Sequence, residues 1–158
     1  MPAKKYFASA KENKHIMVDK VIIRLGTEAE KQKLLTDWVH TNNVIHDGGY
    51  FIVAKIEDTI VGYLWAFKRE IPAPVEKEEI FINVIEVIYT NLRCQNIASK
   101  MLGELIEIAK NEKVYQVRAF CDIDNIPSHH LWIKNRFSIS PTKRDDGTIF
   151  GSFVSYVL

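Results

Sequence analysis

The 158-residue sequence predicts a mixed α/β (α+β) fold, one sheet covered by helices. Three observations predict it. Strand-like and helix-like stretches follow the order β, α, β-hairpin, β, α, β, α, β, β, with no internal repeat and no low-complexity segment. The run from about Ile82 to Tyr89, the amphipathic helix after it and the β-rich run Val114 to Cys121 form a βαβ unit, which needs a right-handed parallel crossover. Tyr50 to Ile56 and Thr59 to Lys68, joined at Glu57-Asp58, read as an antiparallel hairpin. Parallel and antiparallel pairing in one chain make a mixed sheet.

Each element has a local reason. Val21 to Leu25 is the first strand. Thr27 and Glu30 stand at capping-box spacing, and the helix they open sets Leu34, Leu35, Trp38 and Val39 on one face. His40 to Gly49 is a polar connector closed by Gly48-Gly49. After the hairpin, Ile71 to Glu79 carries Pro72, Pro74 and three glutamates and reads as a loop. In the helix after Asn96, Ala98, Met101, Leu102, Leu105 and Ala109 recur at helical spacing, with Lys100, Glu104, Glu107 and Lys110 opposite. Pro127 suits the first turn of a helix ending near Asn135. Phe137 to Ser140 and Ile149 to Val157 form the final strand pair. The first 19 residues, polar and lysine-bearing, form an N-terminal extension, either flexible or packed on the domain or on a partner; residues 20–158 form the domain.

The charge balance narrows the function classes. Lys and Arg number 21 against 20 Asp and Glu, so no basic face for nucleic acid is expected. No apolar run is long enough to span a bilayer. Cys94 and Cys121 are widely spaced with no histidine cluster around them, which argues against a metal site or a disulfide scaffold and for a reducing, cytoplasmic compartment.

Chemistry concentrates at Ile85 to Lys110. A β-branched strand that feeds a helix through a polar loop presents backbone N–H groups together with the positive end of the helix dipole, a place suited to a phosphate. The loop lacks the Gly-Lys-Ser/Thr of a nucleotide P-loop. Glu86 lies on that strand. Period-two alternation puts it with Val84 and Ile88 on one face, and Ile85, Val87 and Tyr89 on the other. A carboxylate among β-branched residues is costly to bury without a purpose, either chemistry or a salt bridge.

Two stretches carry a resemblance. Ile88-Tyr89-Thr90 followed by Arg93-Cys94-Gln95-Asn96-Ile97-Ala98 is similar to a strand ending Val-x-Pro and then Arg-x-x-Gly-x-Gly/Ala. Asn125 to Phe137, NIPSHHLWIKNRF, is similar to Asn-x-x-(Ala/Ser)-x-x-(Phe/Leu)-Tyr-x-Lys-x-Gly-Phe. With these motifs in this order, the chain resembles the GNAT superfamily of acyl-CoA-dependent N-acetyltransferases over about Val21 to Leu158. The resemblance implies a central mixed, mostly antiparallel sheet flanked by helices on both faces, with acetyl-CoA (coenzyme A) as cofactor. It implies that Arg93, Cys94, Gln95, Asn96, Ile97, Ala98 and Ser99 hold the pyrophosphate, and that the backbone at Ile88 and its neighbours pairs with the pantetheine arm. Asn125 would bond that arm, Trp132 would pack on the cofactor or the core, and Glu86 would be the general base.

The chain departs from the pattern at Asn96 (family glycine), Trp132 (family tyrosine) and Arg136 (family glycine). Asparagine is the non-glycine residue that most readily takes positive φ, so the loop can survive at Asn96. Indole is no acid at neutral pH, which leaves Tyr89, Tyr115, Tyr156, His129 and His130 as acids among which nothing selects. The implied reaction is acetyl transfer to a primary amine of a small molecule or peptide. The alternative is a non-catalytic acyl-CoA-binding or regulatory module. The resemblance also allows a homodimer.

Overall fold

The computed structural model describes residues 20–42 and 49–158. Strand β1 (Ile22–Leu25) leads into helix α1 (Glu28–Asn42), then β2 (Tyr50–Ile56), β3 (Thr59–Ile71) and β4 (Lys77–Val87). A short 3-10 turn (Thr90–Leu92) precedes α2 (Ile97–Asn111), followed by β5 (Gln116–Asp122), α3 (Ile126–Lys134), β6 (Ser138–Lys143) and β7 (Ile149–Val157). All seven strands lie in one sheet, ordered β1-β2-β3-β4-β5-β7-β6. Among the described residues only β4 and β5 pair in parallel. The mixed, mostly antiparallel sheet expected from the sequence is present. The expected N-terminal extension and, of the expected connector His40 to Gly49, residues 43–48 lie outside the described residues, as do the side chains of Trp38 and Val39.

Helices cover both faces. Leu35 of α1 packs on Phe51, Val53, Tyr63 and Trp65, with Val84 and Ile88 beside them. On the opposite face Ile97, Met101, Leu102, Leu105 and Ala109 of α2 are buried against Ile52, Leu64, Ile80, Val117 and Val154, and Trp132 of α3 joins this larger core. The α1 N-terminus is the expected capping box. Thr27 Oγ1 accepts from the Glu30 amide at 3.2 Å, and Glu30 Oε2 accepts from the Thr27 amide at 2.9 Å. Arg24 of β1 also grips Glu30, at 2.7 Å.

Several boundaries differ from expectation, β6 among them, which runs to Lys143 and not Ser140. Helix α1 runs through His40 to Asn42, where a connector was expected. β3 continues to Ile71. β4 begins at Lys77, so Lys77, Glu78 and Glu79 are ladder residues opposite Ile71, Glu70 and Arg69 rather than loop. Charge alone argued for the loop. The ladder wins because the buried Glu79 carboxylate accepts from Arg69 Nε at 2.6 Å and Gln116 Nε2 at 2.5 Å, with Arg118 Nη1 at 3.9 Å. The guanidiniums of Arg69 and Arg118 in turn lie over Phe81 and Phe153.

The geometry that builds the site is a break in β4. Its pairing with β3 shifts register between Trp65 and Ala66, leaving Asn83 as the extra residue of a bulge. A one-residue bulge swaps the faces of everything beyond it. Ile80 and Ile82 belong to the α2 core, yet downstream it is Ile85 and Val87 that pack there while Val84 and Ile88 pack beneath α1. At the same place β4 loses β5, because the parallel pairing covers only Glu79 to Ile82 against Gln116 to Ala119. Beyond Ile82 the two strands part and leave a cleft.

Candidate functional site

The cleft has a volume of about 450 Å³. One wall is the open edge of β4 at Ile85, Glu86 and Val87. The second is the loop and first turn of α2, where Arg93, Cys94, Asn96, Ile97, Ala98 and Ser99 face it. The third is α3, with Asn125, Ser128, His130 and Lys134.

Register shows which backbone the open edge offers. The Ile88 amide donates to Val61 O at 2.9 Å, so Ile88 and, two residues back, Glu86 spend their backbone groups on β3. Val87 O points the other way and accepts from Arg93 Nε at 3.2 Å. Strand alternation therefore turns the Ile85 and Val87 backbone toward the cleft. This corrects the expectation for Ile88, whose amide is committed and whose side chain packs on the α1 face. Its neighbours Ile85 and Val87 hold the free edge.

Glu86 lines the cleft and is half-buried. Directly across the ladder, Tyr63 donates its hydroxyl to Glu86 Oε2 at 2.8 Å, and among the described residues it is the only hydrogen-bond partner of that carboxylate. Burial, reinforced by the Glu86 carboxylate, pushes the Tyr63 phenol well above its usual range, so Tyr63 stays a donor. No cation pairs with Glu86 among the described residues, which removes the salt-bridge explanation for it there.

The loop before α2 holds its shape without glycine. Cys94 (φ 61°) and Asn96 (φ 66°) both occupy the left-handed region. Leu92 is sunk in the core and anchors the loop, and Gln95 Nε2 donates to Asn91 O at 2.9 Å. Gln95 thus staples the loop and does not line the cleft. Asn96 is the N-cap, but its side chain makes no capping bond, and the first intrahelical bond joins the Lys100 amide to Asn96 O at 2.9 Å. The N–H groups of Ile97, Ala98 and Ser99 precede that bond and carry the positive end of the α2 dipole into the cleft. The Asn96 side chain instead reaches across and accepts from Lys134 Nζ of α3, while Asn135 Nδ2 donates to Ser99 Oγ at 3.0 Å.

On α3, Asn125 caps the helix by accepting from the Ser128 amide at 3.3 Å and also lines the cleft. Trp132 takes the core alternative and not the cofactor role. It is 3% exposed, packs on Phe137 at 4.9 Å and belongs to the core, not to the cleft wall. Cys121 lies buried near His129, whose Nδ1 is 3.7 Å from the thiol, and burial pushes that thiol up. Neither lines the cleft. Ile85 and Val87 fall among the expected neighbours of Ile88; the residues that sequence reasoning missed are Ser128 and Lys134, along with Asn83 at the bulge, whose side-chain nitrogen is buried without a partner among the described residues. The helical spacing of Pro127, Leu131 and Lys134 was the available signal for the α3 wall. A second, shallower cavity of about 660 Å³ adjoins the first at Asn125 and is bounded by Asp122, Asp124, Arg144 and Phe150.

The profile of the acetyltransferase (GNAT) family matches residues 18–137. The chain belongs to that family, whose members are acetyltransferases. No curated protein sequence matches it. Among solved structures it is similar to the ribosomal-protein-alanine N-acetyltransferase of Brucella melitensis, with TM-score 0.65, 23% identity, and coverage of 87% of this chain and 99% of that one. It is also similar to yncA of Salmonella typhimurium with its cofactor acetyl-CoA (TM-score 0.68, 15% identity, 88% and 94% covered). A GNAT acetyltransferase of Elizabethkingia anophelis with acetyl-CoA bound gives TM-score 0.61 at 19% identity, 89% and 99% covered. At these identities the likeness is one of fold. Among the described residues no helix is long and apolar enough to cross a membrane.

Proposed function

We propose that the protein is an N-acetyltransferase moving an acetyl group from acetyl-CoA to a primary amine by direct attack. One observation carries this reading: the cleft where β4 parts from β5 is lined together by free helix-start amides, by cations and by Glu86. That combination suits a cofactor that carries both phosphates and a thioester. The Ile97, Ala98 and Ser99 amides would hold the diphosphate, and the Ile85 and Val87 backbone would pair with the amide-bearing arm as an added strand.

Glu86 is the group that takes the amine proton. As the N–C bond forms and the C–S bond breaks, the electron pair leaves on sulfur. A thiol with an ordinary pKa of about 8.5 departs without a dedicated acid, which fits the burial of Trp132 at the family's tyrosine position. Tyr63 orients the carboxylate from the strand opposite. The second cavity, with Asp122 and Asp124, is the side from which a cationic amine would enter.

Free-thiol release from acetyl-CoA across a panel of amines tests the reading. Glu86→Gln should lower kcat by about 100-fold or more while leaving coenzyme A affinity intact, because general-base contributions run to about 10²–10⁴. Unaltered turnover in Glu86→Gln would remove Glu86 as the base. Coenzyme A binding with no turnover on any amine would favour the non-catalytic acyl-CoA-binding module, to which the replaced tyrosine also points.

A further inference from the structure

Beyond the gap between β4 and β5, on the same side of the sheet as the Glu86 carboxylate, β5 carries an aromatic ring outside either core. Val117, Ala119 and Cys121 enter the α2 core, so alternation puts Phe120 and Asp122 on the opposite face, the one on which Tyr63 meets Glu86. Phe120 is 36% exposed yet closely seated. Its ring lies over Gly151 of β7, where an added Cβ would fall 2.4 Å from Phe120 Cζ, and the Phe153 and Phe150 rings stand 5.3 and 5.9 Å away. A glycine inside a strand weakens it and marks a close approach. Here it seats a ring that stays partly open to solvent, which serves a preformed ligand wall better than it serves the core.

The ring does not stand alone. Ile123 and Ile149 are exposed beside it, where the Ile123 amide donates to Phe150 O at 3.4 Å, and with Phe150 they line the second cavity, which meets the cleft at Asn125. The cavity also holds charges of both signs. Asp122, Asp124 and Arg144 all line it, and among the described residues none of the three has an ion-pair partner.

We propose that this cavity holds the acceptor, and that the acceptor is a small, singly charged primary amine bearing an aromatic or branched apolar group a few bonds from its nitrogen. The proposal rests on the N-acetyltransferase reading above and names its substrate class. Phe120, Ile123, Ile149 and Phe150 take the hydrocarbon, while the two aspartates draw the ammonium to the side of the sheet on which Glu86 lies. Arg144 opposes a second cation, which disfavours diamines and polyamines; aspartates alone would favour them.

Free-thiol release from acetyl-CoA by the full chain tests this with 2-phenylethylamine, 3-methylbutylamine, ethanolamine and 1,4-diaminobutane. A methylene in an apolar pocket is worth about tenfold or more in kcat/KM, so each apolar amine should exceed ethanolamine and the diamine by at least about tenfold. Phe120→Ala should cut the preference for 2-phenylethylamine over ethanolamine by about tenfold, through KM rather than kcat. Gly151→Ala displaces the same ring and should do the same, with melting curves reporting whether each variant folds. Arg144→Gln should improve the diamine alone. Equal use of the four amines would overturn the proposal, as would a loss in Phe120→Ala shared equally by both amines, the mark of a structural role. Preference for a peptide beginning with phenylalanine over 2-phenylethylamine would overturn the small-amine assignment. Coenzyme A binding with thiol release from no amine at all would refute the transferase reading itself, a distinct outcome.

Discussion

Gly62 of β3 is the position at which a single methyl group should separate chemistry from cofactor binding. A Cβ built there would lie 2.9 Å from Glu86 O, 3.2 Å from Met101 Cε and 3.6 Å from Ile97 Cγ2. The three contacts respond differently. Met101 Cε is the end of a flexible side chain and can swing away, and the Ile97 contact is ordinary. Glu86 O is backbone in the middle of a ladder, so in Gly62→Ala the strand carrying the proposed base must give by a few tenths of an ångström. Overpacking of this kind costs about 1–3 kcal/mol, which for a domain of this size lowers Tm by roughly 2–10 °C. Misplacement by a full ångström can cost about 100-fold in rate, so a shift of a few tenths should lower kcat by about tenfold. Coenzyme A affinity should change by less than about threefold, because the α2 start has no cause to move. Thermal melts, calorimetry and steady-state kinetics on one preparation suffice. Wild-type kcat together with wild-type Tm would refute the packing argument, and equal losses in affinity and kcat would refute the separation.

Three other outcomes follow from described contacts. Cys94 is exposed in the loop before α2 and Cys121 is buried, so iodoacetamide should label one thiol per native chain, at Cys94, with coenzyme A protecting it if that loop holds the cofactor as proposed; peptide mapping that finds Cys121 labelled before unfolding would contradict the core placement. Hydrogen bonding to Arg24, with the Thr27 amide, holds the Glu30 carboxyl at about 2 against an ordinary 4.5. Since the folded value is the lower, this stability is complete above pH 4.5 and is lost as pH falls toward 2; screening at this partly exposed pair limits it to about 1 kcal/mol, and Glu30→Gln should flatten the stability–pH curve in that window. Glu79→Gln leaves Arg69 and Arg118 without their counter-charge and should cost about 2 kcal/mol in urea denaturation, less than a fully buried pair because both guanidiniums are partly exposed. An unchanged midpoint would show the cluster to be dispensable.

The helix α2 and its loop were legible because their signals are local: a polar break, then apolar residues at 3.6 spacing over four turns. The side of the strand on which Glu86 lies was legible for a narrower reason. Alternation was counted from Val84 onward, downstream of the bulge. Counted from Ile80 and Ile82, the same rule would have put Glu86 on the α2 face, because nothing in the chain marks Asn83 as the extra residue except a polar side chain in a β-branched run. The early start of β4 could not be read, since Glu79 is tolerated in the ladder only through Arg69 on β3 and Arg118 on β5. The place of Trp132 in a motif left cofactor and core both open, and its burial against Phe137 depends on how α3 returns onto the sheet. Lys134 and Asn96 are 38 residues apart, and no periodicity links them.

The parting of β4 from β5 has a consequence for solvent exchange. A strand in the middle of a seven-stranded sheet would normally protect every amide, yet the Ile85 and Val87 amides have lost their neighbouring strand while Glu86 and Ile88 keep theirs on β3. Deuterium uptake along β4 should therefore alternate residue by residue, fast at Ile85 and Val87 and slow between them. The alternation should fade when an extended ligand lies along that edge, so the amides themselves report the occupancy of the cleft.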